Sequence, residues 1–218
     1  FGDADAMLAM LGKIVRREGF GNLLGEGVWR AAQKIGKGAE KYAMHIKGQE
    51  LPMHDPRGKQ GLSLSYATSP TGADHIEAPH DTSFLTEGPA LINARPAGVM
   101  EPVPALEMGP RKVRQFVHTQ MIWNAFNSMG VCNFAAAPYT AFPLVSLAET
   151  IGALTGWNYS MFEMMELGER TITLARMFNV REGLSKKDDY LPDRLFEPLE
   201  AGTPREKKIT REDFAKTL

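Results

Sequence analysis

The residues with most to offer chemically lie close together in this 218-residue chain: Asp74-His75, with Glu77, His80 and Asp81 just behind, in a stretch rich in glycine and proline. Histidine titrates near neutrality and a neighbouring carboxylate can fix its tautomer, so the grouping suits proton transfer. His75 and His80 also carry metal-ligating nitrogens, but a prolyl bond separates them and they share no helical i, i+4 register. The competing reading is a hydrogen-bonded turn, the commoner use of a loop histidine. Asp55-Pro56-Arg57-Gly58 reads first as a tight turn capped by its aspartate. Alternatively, Arg57 aims its guanidinium at an anion or a carboxylate. The third feature is Cys132, the sole cysteine, just past the predicted end of a helix. A helix C-terminus carries partial negative charge and does not lower a thiol pKa, which disfavours a nucleophile. A small buried apolar residue, or one ligand of a cluster completed elsewhere, are the readings left, the first ahead on base rates.

Helices must position these groups. An apolar face of Met7, Leu8, Leu11, Ile14 and Val15, with Asp3 as cap, predicts a first helix ended by Gly19 and Gly21. A second amphipathic helix is expected over 22–35, pairing with the first as a hairpin, and a short helical turn over 39–44. From Pro52 to Gly109 the character changes: eight of the fourteen prolines fall here, and only 61–68 is long enough for more than a turn or two of helix. Leu51, Met53, Leu62, Leu64, Tyr66, Ile76, Phe84, Leu85, Leu91 and Ile92 give this stretch anchors, which favours an ordered functional loop over a linker. Regularity returns at Pro110, where Val113, Phe116, Val117, Met121, Ile122, Ala125, Phe126 and Met129 trace a stripe stopped by Gly130. A connector bracketed by Pro138 and Pro143 follows, then helices over 144–155 and 160–178, the latter opening with the capping box Ser160–Glu163. The tail from Arg181 is charged and is expected to wrap the surface. The fold class is mainly α, with long ordered loops.

Composition narrows the function. Lys+Arg of 25 against Asp+Glu of 26 gives a net charge of −1, without the basic excess of a nucleic-acid binder. The apolar runs stop short of the ~18 residues of a membrane span. One cysteine excludes a disulfide framework, and also a zinc or iron–sulfur site built by this chain alone. The chain opens at Phe1 with no secretory leader and reads as a piece of a longer polypeptide, expected in the cytoplasm.

Lys47-Gly48-Gln49-Glu50-Leu51-Pro52 leads into Asp55-Pro56-Arg57-Gly58, then Ser65-Tyr66-Ala67-Thr68-Ser69 and Gly72-Ala73-Asp74-His75. Further motifs are Phe1-Gly2-Asp3, Arg17-Glu18-Gly19, Gly25-Glu26-Gly27-Val28, the turn Asn127-Ser128-Met129-Gly130-Val131-Cys132-Asn133, Gly156-Trp157, Gly168-Glu169-Arg170 and Arg176-Met177-Phe178-Asn179. In order and spacing the set resembles the tungsten-dependent aldehyde ferredoxin oxidoreductase family. The resemblance implies its C-terminal helical domains: 1–46 as the end of the middle domain and 47–218 as the C-terminal domain carrying the pterin- and cluster-facing loops.

That resemblance also implies cofactors: tungsten or molybdenum between two pyranopterins (tungstopterin), beside a 4Fe–4S cluster, both only in a full-length protein. By the same likeness Cys132 falls on the fourth cluster thiolate, Asn127, Gly130, Val131 and Asn133 on pterin-contacting positions, and His75 on a catalytic histidine that exchanges a proton. The implied reaction is oxidation of an aldehyde to a carboxylate, with electrons passing to ferredoxin or a related electron-transfer subunit; a homodimer is compatible with it, and the isolated piece is expected to be inactive. Asn127 replaces the family's usual aspartate, Asp74 stands where better-known members differ, and the stretch after His75 is expanded. These departures point toward a branch near benzoyl-CoA reductase catalytic subunits, acting on an aromatic acid derivative. A non-catalytic helical scaffold is the alternative from another class.

Overall fold

A computed structural model describes residues 2–136, 142–198 and 209–218. Helix α1, Ala4–Arg16, starts where the Asp3 carboxylate accepts the Ala6 N–H at 2.9 Å, and it ends at Arg17, in the left-handed conformation. The single helix expected over 22–35 is instead two, α2, Phe20–Leu24, and α3, Gly27–Ile35. Two glycines explain the break. Gly27 has φ +79°, and a Cβ on Gly25 would press on the Arg17 guanidinium. The hairpin itself forms, because a Cβ at Gly21 would overlap the Lys13 carbonyl and its absence lets α2 touch the α1 backbone.

After a 3₁₀ turn at Ala39–Tyr42 comes an unpredicted β-hairpin, β1, His45–Ile46, and β2, Gln49–Glu50, paired antiparallel with His45 opposite Glu50. Lys47 and Gly48 both have positive φ, 49° and 83°, the conformation that a two-residue primed turn demands. Helix α4, Gln60–Thr68, is buried from Gln60 to Ala67, so periodicity could not mark a face on it. Its first amides are met by distant groups, Gln60 N–H by the Ala105 carbonyl and Gly61 N–H by the Asp81 carboxylate. Helix α5, Pro89–Ala94, closes a small core of Phe84, Leu91, Ala94 and Val99 under the long loop. Of the expected anchors, Leu62, Leu64, Tyr66, Phe84 and Leu91 are buried, whereas Met53, Leu85 and Ile92 face solvent.

Helix α6, Pro110–Met129, is the spine, followed by the short α7, Asn133–Ala136, then α8, Leu144–Thr155, and α9, Met161–Arg181, with the predicted capping box at Ser160. Most of the connector expected between Pro138 and Pro143 lies outside the described residues. Helices α6 and α9 make the most extensive helix contact, and Gly168 allows it, since a Cβ there would overlap the Met121 backbone. The tail does more than wrap the surface. Leu191, Leu195 and, on α10, Arg211–Thr217, Phe214 enter the main core with Ile46, Leu62, Leu64, Tyr66 and Phe116. The fold is mainly α, with long packed loops.

Candidate active site

The loop bearing His75 is held from three sides. Behind it, Gly72 has φ +109°, and a Cβ would overlap the Ile46 carbonyl and come within 2.8 Å of the Gln49 side chain, so only glycine fits against the β-hairpin. Gln49 also donates its amide to the Ala73 carbonyl. Below, Ser65 of α4 donates to the Asp74 carbonyl at 3.1 Å. From α9, Asn179 donates to the Pro70 carbonyl at 2.8 Å. The Asp74 carboxylate accepts the Ile76 N–H at 2.7 Å, so it shapes the turn around His75. The expected partnership between Asp74 and the imidazole is replaced by this turn-capping bond.

Beyond His75 the chain runs against α6. Gln120 and Asn124 donate to the same buried oxygen of Glu77, at 3.0 and 3.1 Å. Burial pushes the Glu77 carboxyl up from its ordinary value, against those two amides. Lys112, wholly buried, donates to Asp81 at 2.7 Å, and the same Asp81 oxygen takes the Gly61 N–H. Gln120 and Lys112 are about 12 Å apart at 1.5 Å per helical residue, nearly the reach of four extended residues. Residues 77–81 are therefore drawn out along α6 between two buried polar clamps. Beside the apolar stripe expected on α6 runs a buried polar face of Lys112, Gln115, Thr119, Gln120 and Asn124, which the apolar pattern does not mark and which carries both clamps.

Three histidines converge where two were expected. The His54 ring centroid lies 4.7 Å from that of His75 and 4.6 Å from that of His80, and His75 and His80 are 5.9 Å apart. Tyr66, buried in α4, places His54 by donating to its carbonyl at 2.9 Å. The only signal in the sequence was histidine density, four of the five lying between His45 and His80. Lys59 sits among the rings, with its Nζ 2.6 Å from His80 Nδ1 and 3.4 Å from His54 Nδ1. Burial, then the Lys59 charge and the two neighbouring rings, push His80 down to about 4. Burial and the same ammonium lower His54. Metal ligation by His75 and His80 is not what the cluster is arranged for: the ammonium already fills the cation's place, and no group of three potential ligands is set to hold a metal among the described residues.

Arg57 resolves to the structural reading. Its guanidinium pairs with Asp55 at 2.6 Å and donates to the carbonyls of Arg194 and Glu197, tying the turn to the tail. The Lys47 ammonium, carried on the primed turn, pairs with nearly buried Asp189 at 3.0 Å and donates to the Ala67 carbonyl.

The other end of α6 carries the second group. Gly130, at φ +70°, closes the helix, its N–H and that of Val131 bonding back to the last turn. Asn133 donates to the Asn127 side-chain oxygen at 3.5 Å, and its own Oδ1 is buried without a partner among the described residues. Cys132 is exposed and unpaired, against the expectation of inert apolar packing. It also precedes α7, a short helix the sequence did not announce, whose Ala135 N–H bonds to the Cys132 carbonyl. Among the described residues, no helix is long and apolar enough to cross a membrane.

Comparison with known proteins places this geometry. The family model described as "Aldehyde ferredoxin oxidoreductase, domains 2 & 3" matches residues 1–218. A tungsten-containing aldehyde ferredoxin oxidoreductase of Pyrococcus horikoshii is 33% identical over 206 residues, covering 93% of this chain and 31% of that protein. The WOR-like subunit of an aliphatic sulfonate oxidoreductase of Pyrococcus furiosus is 32% identical over 226 residues, covering 98% of this chain and 31% of its own. Among solved structures, the active-site complex BamBC of benzoyl-coenzyme A reductase, bound to 1,5-dienoyl-CoA, superposes with a TM-score of 0.60 at 25% identity, over 85% of this chain and 32% of that one. The chain thus spans about a third of the relatives it matches, and it belongs to the aldehyde ferredoxin oxidoreductase family, whose domains 2 and 3 its whole length matches.

Proposed function

We propose that this chain is the C-terminal part of a tungstopterin iron–sulfur oxidoreductase of the cytoplasm that oxidises aldehydes to carboxylates and passes the electrons to ferredoxin or a related subunit. Residues 1–46 are read as the end of one helical domain and 47–218 as the next. The observation that carries the proposal is the turn after α6, where an exposed, unpaired thiol stands beside a buried amide oxygen that has no partner among the described residues.

That donor set fits the implied groups. Cys132 offers a soft thiolate suited to iron, with the other three cluster ligands supplied by sequence outside this chain. Asn133 Oδ1 is a waiting acceptor for a pterin N–H, Asn127 supplies a second amide, and Gly130 and Val131 bring bare backbone close. The metal and its dithiolenes, when bound, supply the exchange of electrons with substrate. His75 takes or returns one proton at a ring nitrogen, its loop fixed by Gly72, Asp74 and the α6 clamps. Asn127, where the family's usual residue is an aspartate, can bond a pterin but cannot balance charge.

Metal analysis of the full-length protein, purified without oxygen, is the test: tungsten or molybdenum and iron should co-purify, and their absence would leave only a non-catalytic scaffold. A second reading, a reductase acting on an activated aromatic acid, is favoured by the likeness to BamBC. Turnover with aldehydes against turnover with aromatic thioesters separates the two.

A further inference from the structure

The histidine cluster holds a group with no role in the reading above. Lys59 precedes α4, is half buried, and presents its ammonium to two imidazoles. A histidine needed only for packing is satisfied by a carbonyl or a carboxylate, and a carboxylate favours the imidazolium. A lysine does the reverse. Its N–H can only donate, so the Nδ1 that receives it must carry the lone pair and the ring proton must sit on Nε2.

We propose that Lys59 is the positioning residue of the cluster: by donating to Nδ1 of His80, with Nδ1 of His54 on its other flank, it fixes both rings as neutral, Nε2-protonated tautomers around His75. The proposal rests for its use on the reading of His75 as the proton-exchanging group, but the tautomers follow from the cluster alone.

The charged and titratable groups about the cluster agree with this. On the loop, Asp74 is occupied in capping its turn and Glu77 in accepting from two amides of α6. Asp81 is the one carboxylate that favours protonation of His80, and it is bonded to Lys112 of α6 and to Gly61. The Asp55 carboxylate beside His54 is held by Arg57, and the Tyr66 phenol donates to the His54 carbonyl. None of them offers an imidazole of His54 or His80 a hydrogen-bonded anion. With Lys59 in place, His75 has two neutral neighbours; without it, only burial and the neighbouring rings are left to disfavour the charged form of His80 and His54, and the lone pair on Nδ1 is no longer fixed by a donor.

The experiment compares the full-length protein with its Lys59→Met and Lys59→Arg variants, following deuterium exchange at the imidazole C2 of each histidine by mass spectrometry across pH. In the parent, His80 should titrate near 4. Its midpoint should rise by ~1 pH unit or more in Lys59→Met, as removal of a neighbouring cation requires, and stay near the parent's in Lys59→Arg. The acid limb of the activity profile should shift in Lys59→Met alone. A parent His80 in the ordinary histidine range, a midpoint unmoved in Lys59→Met, or an equal shift in both variants overturns the proposal. If Lys59→Met moves the His80 midpoint while His75→Ala leaves turnover unchanged, the positioning of the rings stands and the catalytic reading of His75 falls.

Discussion

Two regions of this molecule treat water in opposite ways. In α1, Leu8 is 61% exposed and Val15 82%, although they lie on a clear apolar stripe. In α6, Lys112 is 0% exposed and Gln115, Thr119, Gln120 and Asn124 are buried with it. On α6, then, burial takes in a polar face as well as the apolar stripe, while on α1 it leaves an apolar stripe outside. Helix α1 packs mainly on α2, through a glycine contact, and its apolar side is exposed in this 218-residue chain. Helix α6 holds the 74–81 loop through an ion pair and two amides: Lys112, Gln120 and Asn124 have partners on the loop, whereas Thr119 bonds back to its own helix and Gln115 accepts from Lys112.

The comparison is broken most directly at His75 and Lys112. On the present account His75→Ala lowers turnover of the full-length enzyme ~100-fold or more, in the range that loss of a general acid–base group gives. Steady-state kinetics across pH check this. Lys112→Met leaves Asp81 buried, with one oxygen already unpartnered and the other stripped of its cation. Removing one member of such a pair costs ~3–5 kcal/mol, read as a shift in the denaturant midpoint. If Lys112→Met costs no more than an average surface change, the clamp is not what holds the loop.

Gly72→Ala comes next. The strained φ and the overlap with the Ile46 carbonyl should cost about 2 kcal/mol and lower turnover together, since the same displacement moves His75. Glu77→Gln sharpens the account through pH. Burial holds the folded carboxyl above its unfolded value, so its contribution to stability is present in acid and lost as pH rises through the folded pKa. The glutamine keeps the acceptor for Gln120 and Asn124 without that loss. Stability of the variant should gain on the parent as pH rises, measured by thermal unfolding at several pH values. The smallest effect belongs to α1: Val15→Lys in the 218-residue chain should change stability by less than about 0.5 kcal/mol. A larger cost would mean that its stripe is covered after all.

The sequence made the long helices legible because their signals are local. Pro110 and Gly130 bound α6, Ser160 and Glu163 open α9, and 144–155 was read to the residue. It missed features made by distant partners. The break in 22–35 depends on how Gly25 meets Arg17, and the primed turn depends on Lys47 accepting a left-handed conformation that glycine alone would have advertised. Helix α4 gave no face because it is enclosed on all sides. In the candidate site, motif and resemblance single out His75 and Cys132 as candidates. His54, Lys59 and the Glu77 and Asp81 clamps were not legible, because their partners lie up to 47 residues away and carry the polar chemistry that pattern reading assigns to solvent.

The central claim is that the thiol behind α6 is a cluster ligand in the full-length protein. Low-temperature EPR of the reduced protein and of its Cys132→Ser variant, with iron content measured on the same samples, tests it most directly. The account predicts an iron–sulfur signal in the parent that is lost or altered in the variant, with less iron bound. An identical signal and unchanged iron in Cys132→Ser would contradict it.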